Sequence, residues 1–339
     1  MNLRPPGYEP GELPDCSTPR RGADYSAGYA LTKMRVGVID LGTNSTRLLV
    51  ADVNDGHVEE LERRTDITRL GEGVDERRKL LPLPIARVRN VLADYRRELD
   101  RQGAERVLAI GTSAVRDAEN GEAFLGEVEW SYGFTTRLLT GDEEAGLTRK
   151  GVANGRPLDN GTLVLDIGGG STELITARRC VSLDIGSVRL TERFLPSDPP
   201  THDELNACAT AVRKTLPALG PNRAIGVAGT ITTLAALELG GYDPEEVHGH
   251  RLARGSVHSL LERLASLRVE ERRQLPGLEP ERAPVIVGGA VIVDEVLRRY
   301  GLDELEVSER DLLHGAALEA AKLPEPEEGD APPGAYTCC

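Results

Sequence analysis

The chain has 339 residues, 39% hydrophobic but only 4% aromatic, enough for sizeable cores built from aliphatic side chains and sufficient for two ordinary domains. A net charge of −14 argues against a nucleic-acid partner, because nonspecific binding of that kind needs a basic surface. No apolar run approaches the ~18–20 residues of a membrane span, and nothing at the start resembles a secretion signal, so the expectation is a cytoplasmic protein with no membrane contact.

In chain order, residues 1–33 lack an apolar period and carry Pro5, Pro6 and Pro14, which predicts a disordered extension, with Met34 as a candidate native start. Strands rich in Val, Ile and Leu are predicted at Arg35–Leu41, Thr46–Val53 and Val58–Ile67. Ile85, Val88, Val91, Leu92, Tyr95 and Leu99 keep helical spacing, with Gly103 as the stop. Short strands follow at Arg106–Gly111 and Phe134–Leu139. A second series then begins: strands at Thr162–Ile167, Ser171–Ala177 and Cys180–Ile185, a helix near Asp203–Leu216, a strand at Ala224–Ala228 and helices at Thr230–Leu239, Ala290–Tyr300 and Glu309–Ala320. Strands then helices, twice over, predict an α/β protein of two lobes with a cleft between them. The acidic, Pro-rich stretch at 323–339 predicts a disordered tail.

The two series open on the same text. Around Asp40 the chain reads Val-Ile-Asp-Leu-Gly-Thr-Asn-Ser-Thr-Arg-Leu, and around Asp166 it reads Val-Leu-Asp-Ile-Gly-Gly-Gly-Ser-Thr-Glu-Leu, 126 residues later. A match spanning strand, glycine turn and second strand points to duplication of one fold unit. Each turn suits a phosphate. Glycine lets the backbone come close and aim N–H groups, and hydroxyl side chains add donors. The phosphate-binding candidates are therefore Gly42, Thr43, Asn44 and Ser45 in the first turn and Gly168, Gly169, Gly170 and Ser171 in the second. Asp40 and Asp166, at strand ends, could hold a hydrated divalent cation bridging phosphate oxygens. The bland alternative is an ordinary hairpin turn with a capping aspartate. Five cysteines show no metal-ligand spacing, and His248 and His250 lack a third ligand nearby.

Further segments occur in order: Ala109-Ile-Gly-Thr-Ser-Ala-Val-Arg116, Thr140-Gly-Asp-Glu-Glu144-Ala, Asp166-Ile-Gly-Gly-Gly-Ser-Thr-Glu173 and Val227-Ala-Gly-Thr-Ile-Thr-Thr-Leu234. With the paired turns, this set resembles the exopolyphosphatase / guanosine pentaphosphate phosphohydrolase family, over roughly Met34 to Ala320. It is similar to the short two-domain form. The resemblance implies two duplicated ribonuclease H-like lobes of the actin-like ATPase superfamily: 34–141 plus 304–322 as lobe I and 142–303 as lobe II. It implies Glu144 as the base that activates water, Glu173 as a second catalytic carboxylate, and Arg116 as a site-facing cation. It also implies Mg²⁺, or Mn²⁺ in its place, held at Asp40 and Asp166, and a homodimer.

The residues allow bland readings beside these. Glu143 and Glu144 sit where a first-turn pair of acids favours the helix dipole, although side chains one residue apart on a helix diverge by about 100°, so only one faces the cleft. Glu173 could pair with Arg47, and Arg116 with Asp117 or Glu119. The small-residue turn from Gly226 to Thr230 serves either ligand contact or close packing. Arg69, Arg189 and Arg193 are candidates for the basic groove that an acidic protein needs for a polyanion. The expected activity is processive, metal-dependent removal of terminal phosphate from inorganic polyphosphate. Guanosine pentaphosphate hydrolysis and a non-catalytic polyphosphate or alarmone sensor stand as alternatives.

Overall fold

A computed structural model of the protein describes residues 33–154 and 157–324. Apart from residues 33, 323 and 324, the expected extension and tail lie outside the described residues. So do Cys16, Cys338 and Cys339.

Two mixed sheets organise the described chain. The first contains β1 (Met34–Leu41), β2 (Thr46–Asn54), β3 (His57–Asp66), β4 (Arg106–Gly111) and β5 (Thr135–Leu138), in the order β3-β2-β1-β4-β5. The second contains β6 (Thr162–Ile167), β7 (Thr172–Ile175), β8 (Cys180–Leu183), β9 (Arg223–Val227), β10 (Arg251–Ala253) and β11 (Glu304–Val307), in the order β10-β11-β9-β6-β7-β8. β1 and β6 hold equivalent places. Each pairs antiparallel with the next strand and parallel with a later one, β4 or β9. Both are covered on both faces, which explains their continuous rather than alternating apolar text.

Helices fill the layers as the residue pattern demands. Pro82–Gln102 starts with proline in its first turn, buries Val88, Leu92, Tyr95 and Leu99, and stops at Gly103, whose φ of 70° is open to glycine at little cost. The Gly141–Ala153 helix begins at a capping box, with the Thr140 hydroxyl accepting from the Glu143 N–H and the Glu143 carboxylate accepting from the Thr140 N–H. Such a cap contributes on the order of 1 kcal/mol and fixes where the helix starts. That helix serves both cores: Leu147 packs with Leu108 and Leu312, while Ala145 and Val152 pack with Val164 and Val227.

The Leu312–Ala320 helix lies on β1, β2 and β4 and against Gly141–Ala153. Contact between these helices is so close that a Cβ on Gly315 would sit 1.9 Å from the Leu147 carbonyl oxygen. β11 lies in the second sheet, paired with β9 and β10, so the chain's return to the first sheet begins after Val307, not at residue 304. Starts also differ slightly from expectation: the last helix begins at Leu312, because the Asp311 side chain caps it. Among the described residues no helix is long and apolar enough to cross a membrane.

Candidate active site

The two duplicated turns have the same internal bond. The Gly42 N–H donates to the Ser45 carbonyl at 3.0 Å, and the Gly168 N–H donates to the Ser171 carbonyl at 3.0 Å. They also meet. A Cβ on Gly170 would lie 2.4 Å from Ser113 Oγ and 3.0 Å from Thr43 Oγ1, so nothing larger than glycine fits where the turns face each other. Both turns line one cavity of about 510 Å³, together with Asp40, Asp166 and Glu144.

Glu144 reaches the cavity because the capping box sets the helix phase. Glu143 at the third position folds back to Thr140 and pairs with Arg137 outside, while Glu144 points inward and is 8% exposed. Arg116 Nη1 donates to Glu144 Oε2 at 3.1 Å and to the Leu139 carbonyl at 2.9 Å. Burial pushes the Glu144 carboxyl up to about 7, aided by Asp166 and Asp40 and opposed by Arg116.

Asp40 and Asp166 are each the last residue but one of their strands, β1 and β6. Arg47, opposite Asp40 across the ladder, donates to Asp40 Oδ2 from Nε at 2.9 Å and from Nη2 at 2.8 Å. Arg47 also bonds Asp311, the cap of the last helix. In the second half, the residue opposite Asp166 is Glu173, whose Oε1 accepts from Ser182 at 2.8 Å. Thr148 Oγ1 donates to Asp166 Oδ2 at 2.9 Å. Burial lifts Asp166 to about 6, and it lifts Glu173 well above the carboxylate range with Glu144 and Asp166 adding to the rise. Asp311 goes the other way: burial alone would raise it, but Arg47, a bond with His314 and Arg63 hold it well below the usual range.

The sequence candidates therefore divide by depth. Asp40, Asp166, Glu144 and the phosphate-turn residues Gly42, Thr43, Asn44, Ser45, Gly168, Gly169, Gly170 and Ser171 wall the cavity. Arg116 and Glu173 stand behind that wall, Arg116 on Glu144 and Glu173 beside Asp166. Glu173 is not paired with Arg47, and Arg116 pairs with neither Asp117 nor Glu119 in the contacts formed here. The Gly226–Thr230 turn is split: a Cβ on Gly226 would strike Ile231 and Leu305, whereas Gly229 and Thr230 line the cavity. Arg189 and Arg193 bind Asp75 rather than an open groove.

Sequence reasoning missed Arg47, Arg63 and Asp311 as cavity residues. The Arg47–Asp311 pair spans 264 positions, which no local pattern reports. The one available signal was Asp311 itself, a capping residue just before an apolar helical run.

A cation fits this donor set. Among the described residues Asp40 Oδ1 is buried without a hydrogen-bond partner, and the buried carboxylates of Asp166 and Glu144 line the same cavity. Among the described residues no three His, Cys, Asp or Glu side chains form a ready ligand group. Such a site suits a hydrated hard cation that shares phosphate oxygens, rather than one caged by protein alone.

The profile of the Ppx/GppA phosphatase family matches residues 49–323. The chain belongs to the Ppx/GppA phosphatase family. It is 39% identical over 318 residues to Exopolyphosphatase 2 of Mycobacterium tuberculosis, an alignment covering 85% of this chain and 98% of the relative. A Ppx/GppA family member from Aquifex aeolicus superposes with a TM-score of 0.72 at 34% identity, over 86% of this chain and 98% of that one. An exopolyphosphatase from Cytophaga hutchinsonii gives a TM-score of 0.79 at 26% identity, over 86% and 99%. The two-lobed actin-like ATPase fold and a phosphatase, that is hydrolase, assignment expected from the sequence both hold.

Proposed function

We propose that this Ppx/GppA phosphatase is an exopolyphosphatase that removes terminal phosphates from inorganic polyphosphate one after another. The observation that carries the reading is Glu144: a buried carboxylate poised near neutrality where two matched glycine turns meet. The turn N–H groups and hydroxyls of Thr43, Ser45 and Ser171 bind the terminal phosphoryl group. Glu144 orients a water and takes its proton as that water attacks in line. Arg116, behind the cavity wall, holds Glu144 in register through its 3.1 Å bond. Asp40 and Asp166 would hold a divalent cation, magnesium or manganese, which when bound would neutralise phosphate-oxygen charge. Glu173, beside Asp166, sharpens the need for that charge. Each shortened chain is again a substrate, so the cycle repeats. A cytoplasmic location and a homodimer belong to the same reading through the family resemblance.

A second reading has one observation in its favour. Tyr242, Leu278 and Ile286 also line the cavity, apolar surface of the kind that suits a nucleobase. That would favour guanosine pentaphosphate. The test is phosphate release from polyphosphate and from guanosine pentaphosphate, side by side, with Mg²⁺. Release from polyphosphate is expected; release from the nucleotide alone would replace the first reading with the second.

A further inference from the structure

A second cavity, of about 440 Å³, is walled by Ile67, Arg69, Arg87, Arg273, Pro280 and Glu281. It adjoins the first. The Arg69 N–H donates to the carbonyl of Asn44, a phosphate-turn residue, at 2.9 Å. On the opposite wall Pro280 and Glu281 face the second cavity, while their neighbours Glu279 and Arg282 face the first.

The arginines there are not equivalent. Arg87 Nε donates to the Thr68 carbonyl at 2.6 Å and its Nη2 pairs with Glu72 at 2.7 Å, so it braces the loop that carries Arg69. Arg273 pairs with Glu270 at 2.6 Å at the outer rim. Arg69 has no carboxylate partner among the described residues; its guanidinium makes one long bond, 3.3 Å, to the Glu281 carbonyl. Its backbone is held at φ 50°, the left-handed region that a non-glycine residue enters only where its surroundings compel it. The loop thus fixes a half-buried arginine next to the phosphate turn and leaves its fork of N–H donors nearly uncommitted. Bidentate recognition of phosphate oxygens is what such a fork does best.

We propose that Arg69, with Arg273 across from it, forms a distal subsite that grips the unreacted part of a phosphate chain as it leaves the catalytic cavity. This supplies the local basic track that a protein of net charge −14 must offer a polyanion. The proposal rests on the exopolyphosphatase reading, and its test separates the two.

The test is KM against chain length, from tripolyphosphate to chains of many tens of phosphates, for wild type, Arg69→Ala and Arg69→Gly. Glycine accepts the left-handed backbone, so Arg69→Gly keeps the loop. The expected result is a KM raised about tenfold for long chains and less than about twofold for tripolyphosphate, with kcat kept, the size of one charge-assisted contact. Arg273→Ala shifts KM the same way, by less. Equal shifts at all lengths, or none, overturn the subsite. Relief of inhibition by added orthophosphate, with chain-length dependence intact, also overturns it and makes the pocket a site for free phosphate. Binding to the Glu144→Gln protein, with and without Arg69→Gly, gives the independent arm. If wild type releases no phosphate from polyphosphate, the function fails. A loss of affinity confined to long chains in the binding arm still upholds the subsite, and no such loss overturns it.

Discussion

Arg47 and Glu173 occupy the same position in the two halves of the molecule, each directly across the ladder from a strand-end aspartate, and they carry opposite charges. In the first half the aspartate is neutralised by its neighbour. In the second half it is joined by another acid, so Glu144, Asp166 and Glu173 crowd one buried region. The duplication has diverged from a paired site into an electrostatic well. Such a well costs the metal-free fold and attracts a cation.

Glu173→Gln removes one member of the well while keeping its shape and its bond with Ser182 within reach. The metal-free protein should melt a few degrees higher at pH 8, and turnover with Mg²⁺ should fall. Thermal melts with and without the cation check both halves. An unchanged melting temperature together with unchanged turnover would make Glu173 a bystander.

The same crowding sets a pH dependence. The folded-state carboxyl of Glu144 titrates near 7, above its ordinary 4.5, and that of Asp166 near 6, above 3.8. The fold therefore favours the protonated acids. Stability is fully present below the unfolded-state values and is lost as pH rises to about 7, on the order of 3 kcal/mol for Glu144 alone. Asp311 has the opposite sign, but its contribution is lost only as pH drops below the usual carboxylate range, so it is constant in this window. Metal-free protein should melt lower at pH 8 than at pH 5, and divalent cation should recover the difference at pH 8. A higher melting temperature at pH 8 without metal would refute the assignment.

Much of this site was legible because duplication writes the same residues twice. Asp40 and Asp166, the glycine turns and the strands around them come from contiguous text, and each strand's apolar run matches its burial on both faces. Gly103 ended its helix as expected because the left-handed conformation there favours glycine. What local text could not carry is pairing across the fold. Arg116 meets Glu144 over 28 positions, and Arg63 meets Glu309 over 246. The short Ser187–Phe194 helix and strand β11 were not expected, since eight and four residues give too little periodicity to separate them from loop.

Glu144→Gln tests the proposed base without disturbing shape. Turnover should fall by roughly 10²–10⁴, the usual contribution of a positioned base, while binding of phosphate chains is kept. Arg116→Ala should lower turnover less, because it frees Glu144 from its set orientation without removing the carboxylate, and it should leave KM nearly unchanged. It should also shift the acid limb of the rate profile upward: burial sets the Glu144 value and Arg116 opposes the rise. Steady-state kinetics from pH 5 to 9 reads all three. An unmoved acid limb would take Arg116 away from Glu144.

Arg189 and Arg193 lie one helical turn apart and bind the same aspartate, yet they should behave differently. Arg189 is 8% exposed. Its Nε donates to the Gly170 carbonyl of the second phosphate turn at 2.8 Å, its Nη1 donates to Asp75 at 2.7 Å, and it also pairs with Asp117, next to Arg116. Removing it leaves the partly buried Asp117 without its cation and frees the carbonyl of the turn, a loss of about 1–3 kcal/mol for polar groups left without a partner. Arg193 is 46% exposed and bonds Asp75 from solvent, which Arg189 also serves, so Arg193→Ala should cost less than about 1 kcal/mol. Urea denaturation of the two variants measures the contrast. The kinetic corollary is that Arg189→Ala slows turnover through the Gly170 turn and Arg116, whereas Arg193→Ala does not. Equal costs in both assays would show that burial across these ion pairs does not set their worth.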